Sequence, residues 1–198
     1  MAAFNNSIVS ASTPRMGNWL TRGIGSLVLK MIGWKIVGKL PDRKKLLIIG
    51  MPHSSNWDFI IAMATFQALG IKVYYMMKKE AFKWPLAGFF KWMGGVPIDR
   101  GKAKNTAQQM ADWFDANENV WLGITPEGTR TKVDKFKTGY LKIAYAAKVP
   151  IFVTGLNSEK KELHFTQIID TTGDIETDNA TFKAFSDRTF NAIRPEYQ

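Results

Sequence analysis

The feature that most restricts this chain is an alternation of apolar runs of strand length with helix-period segments, sustained from residue 34 to residue 193. The runs at 34–37, 46–51, 71–77, 95–98, 120–124, 151–156 and 163–168 have the length and apolar content of strands. The segments at 57–69, 84–93, 103–116, 138–147 and 181–193 carry apolar residues at helical spacing. Strands separated by helices need crossover connections, so the expected fold is α/β, with a largely parallel central sheet flanked by helices on both faces. With 198 residues, 45% of them apolar, and no internal repeat or low-complexity linker, the chain reads as a single domain.

Residues 1–15, with Asn, Ser, Thr and little apolar periodicity, read as a flexible leader, and 16–198 as the domain. The leader lacks the basic flank, apolar run and cleavage site of a signal peptide. Leu20, Ile24, Leu27, Val28, Met31 and Ile32 then recur at helical spacing, which predicts an N-terminal amphipathic helix over 16–34. Arg22, Lys30 and Lys35 keep that stretch far short of the roughly 18 apolar residues of a membrane span. The helix is therefore a candidate interfacial helix, with Trp19 and Trp34 near its ends, or else a core helix with a solvated basic face. Phe82, Lys83, Trp84, Phe89, Phe90, Lys91 and Trp92 interleave aromatic and basic side chains in the same way.

The formal charge is +10 and unevenly distributed. Through Asn105 there are 16 Lys and Arg against 4 Asp and Glu, a balance of +12; the remainder carries 11 against 13, a balance of −2. Such a field attracts anions, whether lipid headgroups, nucleic acid, coenzyme phosphates or an acidic carrier protein. The absence of cysteine excludes disulfides, thiolate metal sites and a thiol nucleophile.

Chemistry concentrates at the ends of the expected strands. The run 46–51 is followed by Pro52-His53-Ser54-Ser55-Asn56-Trp57-Asp58. Pro52 cannot extend a ladder, and Ser54, Ser55 and Asn56 are all candidate helix caps, so His53 falls at the carboxyl end of a strand, where open α/β sheets bind ligands. Asp58, in the first helical turn, is placed to reach back and fix the imidazole tautomer, leaving the other ring nitrogen to take a proton. The same residues also satisfy a simple capping cluster in which the His is merely hydrogen-bonded. The run 120–124 ends in Pro126-Glu127-Gly128-Thr129-Arg130, a tight turn opening onto Lys132, Lys135 and Lys137. Arg130 offers a planar fork for phosphate oxygens, with Glu127 holding the fork or binding a hydroxyl, unless the two form an ordinary surface pair. Gly94 and Gly95 precede a third such end at Arg100, which reads equally as an exposed basic loop.

Taken together, these segments resemble the 1-acylglycerol-3-phosphate acyltransferase family. His53 and Asp58 match its His-x-x-x-x-Asp motif, Gly95 to Arg100 its second, Pro126 to Arg130 its third without a break, and Val149-Pro150-Ile151 its fourth, in the family's order. Pro52 stands where the family usually has Asn before the motif His, and a second Pro of the fourth motif is missing. The resemblance implies transfer of a fatty acyl group from acyl-CoA or acyl carrier protein to a lysophospholipid hydroxyl, most commonly of lysophosphatidate. It assigns general base to His53, its orientation to Asp58, and acceptor binding to Arg100, Glu127, Gly128, Thr129 and Arg130. It implies no metal, no cofactor beyond the acyl donor, no nucleic acid, and a peripheral place at the cytoplasmic face of a membrane. Met76, Met77, Phe82, Phe89 and Phe90 are apolar surface for an acyl tunnel or for the core. A serine hydrolase using Ser54 or Ser55 with His53 lacks a Gly-x-Ser-x-Gly elbow, and a basic nucleic-acid binder lacks a recognised motif. His164, without a carboxylate at motif spacing, is expected on a strand surface.

Overall fold

The computed structural model of the protein describes residues 8–98 and 106–197. Its strands are β1 (Lys35–Gly38), β2 (Lys45–Met51), β3 (Val73–Lys78), β4 (Gly95–Ile98), β5 (Val120–Ile124), β6 (Ile151–Asn157) and β7 (Glu162–Ile169). They form one sheet in the order β1-β7-β6-β2-β5-β3-β4. Among the described residues every neighbouring pair is parallel except the β6-β7 hairpin. The largely parallel α/β sheet expected from the alternation is the one observed.

The continuous apolar runs reflect a sheet covered on both faces. Successive side chains of a strand point to opposite sides, so on β2 Leu47, Ile49 and Met51 enter one core while Leu46 and Ile48 enter the other. The first core is completed by α4 (Thr106–Asp115), α5 (Gly139–Ala147) and α6 (Ile175–Thr189), through residues such as Phe114, Tyr140, Leu141 and Phe182. The second is completed by α1 (Trp19–Ile32) and α2 (Asn56–Leu69), through Leu29, Ile61, Ala64 and Leu69. The short α3 (Ala87–Trp92) precedes β4. At Gly25 a Cβ atom would stand 2.6 Å from the Ala64 carbonyl oxygen and 2.5 Å from the Ala68 nitrogen, so α1 lies with its backbone against α2.

Two expectations change. The last helix begins at Ile175 rather than near 181, because Asp174 caps it by accepting from the Thr177 N–H at 2.8 Å. Its first turns carry buried polar groups, Asp178 and Asn179, which an apolar period does not register. Residues 8–16 are not a loose leader. Ile8 accepts from Leu40 N–H at 3.0 Å, Pro14 from Lys72 N–H at 2.8 Å, and Met16 donates to Gly70 at 3.1 Å. Residues 1–7 lie outside the described residues, as does Arg100.

The connections open a crevice. β2 leads into α2 on one face, and its neighbour β5 leads into α5 on the other. Where adjacent parallel strands send their helices to opposite faces, their carboxyl ends part and leave room for a ligand.

Candidate active site

The turn after β2 is organised by one carboxylate oxygen. Asp58 Oδ2 accepts the backbone N–H of Ser54 at 2.6 Å and of Ser55 at 2.7 Å, and lies 3.1 Å from His53 Nδ1. Ser55, the N-cap of α2, completes the cap by accepting from Trp57 N–H at 3.2 Å. The helix end favours negative charge there. The capping contacts and the His53–Asp58 pairing, alternatives in the sequence, thus occur in the same arrangement. A neutral ring that donates Nδ1–H to Asp58 carries its lone pair on Nε2. Asp58 is buried and His53 partly so.

Neither serine is poised as a nucleophile. Ser54 is 2% exposed and its Oγ accepts from Arg194 N–H at 3.1 Å, while Ser55 Oγ serves the cap.

The turn after β5 meets this one from across the crevice. Gly128 adopts a positive φ of 61°, its carbonyl accepts from Lys137 Nζ at 3.2 Å, and Lys137 N–H donates to Pro126 at 2.9 Å, so the basic loop folds back on the turn. Gly128 and Arg130 are exposed and Thr129 is half-buried. Among the described residues Arg130 makes no ion pair. Glu127 departs from expectation. It neither holds the Arg130 fork nor faces solvent; it is 6% exposed, and its Oε1 accepts the backbone N–H of His53 at 3.1 Å. Burial pushes its carboxyl up to about 7, against the lowering effect of the N–H groups it accepts from.

His53, Asp58 and Gly128 line a cavity of about 410 Å³ between α2 and the sheet. Phe59, Ala62, Met63 and Phe66 form its α2 wall, and Gly50, Gly123 and Thr154 lie on the sheet side. A Cβ at Gly50 would find only Thr154 Oγ1, at 3.8 Å, so the missing side chain leaves space under the helix. These residues were missed in the sequence, although 59, 62, 63 and 66 follow helical spacing and mark a single face. Of the proposed tunnel residues only Met76 lines the cavity; Phe82, Phe89 and Phe90 pack on one another instead. His164 does have a carboxylate partner, Glu162 Oε2 at 2.9 Å, on β7 and separated from β2 by β6. No group of three metal-ligating side chains occurs among the described residues.

A family model described as Acyltransferase matches residues 35–155. A probable 1-acyl-sn-glycerol-3-phosphate acyltransferase of Mycoplasma pneumoniae is 33% identical over 137 residues, which are 64% of this chain and 50% of that protein. The 1-acyl-sn-glycerol-3-phosphate acyltransferase of Escherichia coli is 28% identical over 125 residues, 59% of this chain and 49% of that one. The chain thus spans about half the length of these curated relatives. The solved 1-acyl-sn-glycerophosphate acyltransferase PlsC of Thermotoga maritima superposes with a TM-score of 0.62 at 16% identity, covering 85% of this chain and 76% of that one, and so shares the fold.

A carboxyl held at about 7 in the folded chain against 4.5 otherwise favours its neutral form in the native state, so its ionisation removes stability as pH rises from about 4.5 through 7. Between pH 5 and 7.5 this loss is on the order of 2 kcal/mol, and Glu127→Gln, which cannot ionise, is expected to escape it. Urea unfolding of both proteins at the two pH values checks this. A stability difference between them that stays constant with pH contradicts the raised carboxyl.

Proposed function

The chain belongs to the Acyltransferase family, and on that footing we propose that it moves a fatty acyl group from acyl-CoA or acyl carrier protein to the free hydroxyl of 1-acylglycerol-3-phosphate. The observation that carries this reading is the pairing of His53 Nδ1 with Asp58 Oδ2 at 3.1 Å on the wall of an apolar cavity of about 410 Å³. The cavity suits an acyl chain, and the imidazole stands beside it with one nitrogen free. Nε2 takes the proton of the acceptor hydroxyl as its oxygen attacks the thioester carbonyl carbon. The tetrahedral intermediate collapses with cleavage of the C–S bond, and the leaving thiolate recovers the proton from the imidazolium. The products are an ester and a free thiol. Asp58 holds the ring in place and stabilises its charged form between the two transfers.

Arg130, exposed on the turn after β5, supplies a fork for the acceptor phosphate, with Gly128 and Thr129 shaping the approach and Arg100, by resemblance, adding a second guanidinium. The relatives' names, 1-acyl-sn-glycerol-3-phosphate acyltransferases, support this acceptor. No metal or further cofactor is needed for the chemistry.

We further propose that the protein works as a peripheral protein at the cytoplasmic face of a membrane. Among the described residues no helix is long and apolar enough to cross one. On α1, Leu20, Ile24, Leu27 and Met31 are each more than half exposed, whereas Gly25 and Leu29 are buried. Their spacing of about one turn sets them in a stripe on the side away from α2, with Trp19 beside it. Trp84, Leu86, Phe89 and Trp92 expose a second apolar group next to Lys83 and Lys91. Apolar side chains displayed this way, with lysines nearby, suit an anionic lipid surface.

Incubation with labelled acyl-CoA and a set of lysolipids, followed by thin-layer separation, tests the activity, and new diacyl lipid from lysophosphatidate is expected. His53→Ala is expected to lower its formation by about 10² to 10⁴ with circular dichroism unchanged. Turnover near that of the parent in the folded variant contradicts the general-base role.

The membrane reading predicts stronger binding to anionic than to neutral vesicles, weakened by salt. Replacing Ile24 and Leu27 together by Glu is expected to lower vesicle binding at least tenfold, an order of magnitude set by the loss of two buried aliphatic groups. The thermal midpoint should be kept. Sedimentation equal to the parent's removes α1 as the docking face.

A further inference from the structure

Glu127 lies in a turn that the family resemblance assigns to acceptor binding, yet its carboxylate is not placed to meet an acceptor. The cavity is lined by its neighbours Thr125 and Gly128 but not by Glu127 itself. Its Oε2 is sealed from solvent and has no hydrogen-bond partner among the described residues. Its Oε1 points instead at the main chain of the base, accepting His53 N–H at 3.1 Å across a sequence separation of 74 residues. A phosphate or hydroxyl could reach this carboxylate only if the turn opened.

We infer that Glu127 is a positioning residue for acyl transfer, tying the turn after β5 to the turn after β2 and setting the height of His53 above the cavity. The inference rests on the reading of His53 as general base. The parallel register pairs Ile49 of β2 with Ile124 of β5, so the two turns leave the sheet side by side, and the Glu127 side chain spans the gap between them.

Each N–H of the first turn then has one assigned partner. Ser54 and Ser55 donate to Asp58, and His53 donates to Glu127. Asp58 therefore orients the imidazole from the α2 side while Glu127 anchors the backbone that carries it. Loss of Glu127 leaves the His53 N–H, a half-buried donor, without that partner, and the backbone shifts to find another. Nε2 moves with it, and displacement of a base by about 1 Å is enough to slow a reaction a hundredfold.

The two roles separate in steady-state kinetics with acyl-CoA and detergent-dispersed lysophosphatidate. An acceptor ligand shows itself in KM, and a residue that sets the geometry of the base shows itself in kcat. Glu127→Ala is expected to lower kcat by about ten- to a hundredfold while acceptor KM moves by less than about threefold. Glu127→Gln keeps a carbonyl oxygen for the His53 N–H and is expected to restore most of the kcat that Ala loses. A rise in acceptor KM in both variants with kcat retained overturns the inference, since it places the acceptor on the carboxylate. If Glu127→Ala does not fold, Glu127→Gln decides alone: parent-like KM with most of kcat supports the inference, and raised KM overturns it. His53→Ala measured alongside separates the failures, because parent-like turnover there overturns the general-base reading itself, and a loss there leaves the outcome to Glu127.

Discussion

Oδ2 of Asp58 is the atom on which the site depends. It accepts two backbone N–H groups of the turn before α2 and pairs with His53 Nδ1. Removing that carboxylate would take away the acceptor of both N–H groups and the partner of the imidazole together. The carboxylate that helps end β2 and start α2 is thereby the one that meets the imidazole. The field at the helix N-terminus favours the charge that both contacts use. This economy explains the spacing: His53 and Asp58, five residues apart, would point away from each other on a continuous helix, but across a strand-to-helix turn they meet.

The sheet supplies the setting. Because β2 and β5 are neighbours whose following helices cover opposite faces, their turns stand side by side at an open edge, and Glu127 closes the distance between them. Gly50 withholds a side chain from the face that α2 covers, so space remains there between the helix and the sheet. The apolar wall and the His53–Asp58 pair thus lie against one cavity, with Gly128 of the turn after β5 at its rim.

Much of this was legible in the chain. The seven strand runs fall within a residue or two of the observed strands, because a sheet buried on both faces writes itself as continuous aliphatic segments. The His53–Asp58 pair was legible because Pro52 and the following cap residues force a turn between them. Glu127 was not, since Arg130, Lys132 and Lys135 nearby suggest an exposed turn, whereas its carboxyl is buried and bonded to His53, far away in sequence. The start of α6 was hidden for a related reason. Asp178 accepts from Thr172 and from the Tyr145 hydroxyl, and Asn179 binds Tyr140 and the Phe136 carbonyl, so polar groups fill positions where apolar ones were sought. The stripe on α1 was visible as a pattern, but only the packing of Gly25 on α2 and the burial of Leu29 reveal which side is left outward.

The central claim is that Asp58 holds His53 with its proton on Nδ1 and its lone pair on Nε2. Nitrogen-15 NMR of the neutral His53 ring reads this directly. The account predicts a protonated Nδ1 and an unprotonated Nε2 in the parent, with that preference weakened or lost in Asp58→Asn. A parent ring carrying its proton on Nε2, or a tautomer indifferent to the Asp58 substitution, would contradict it.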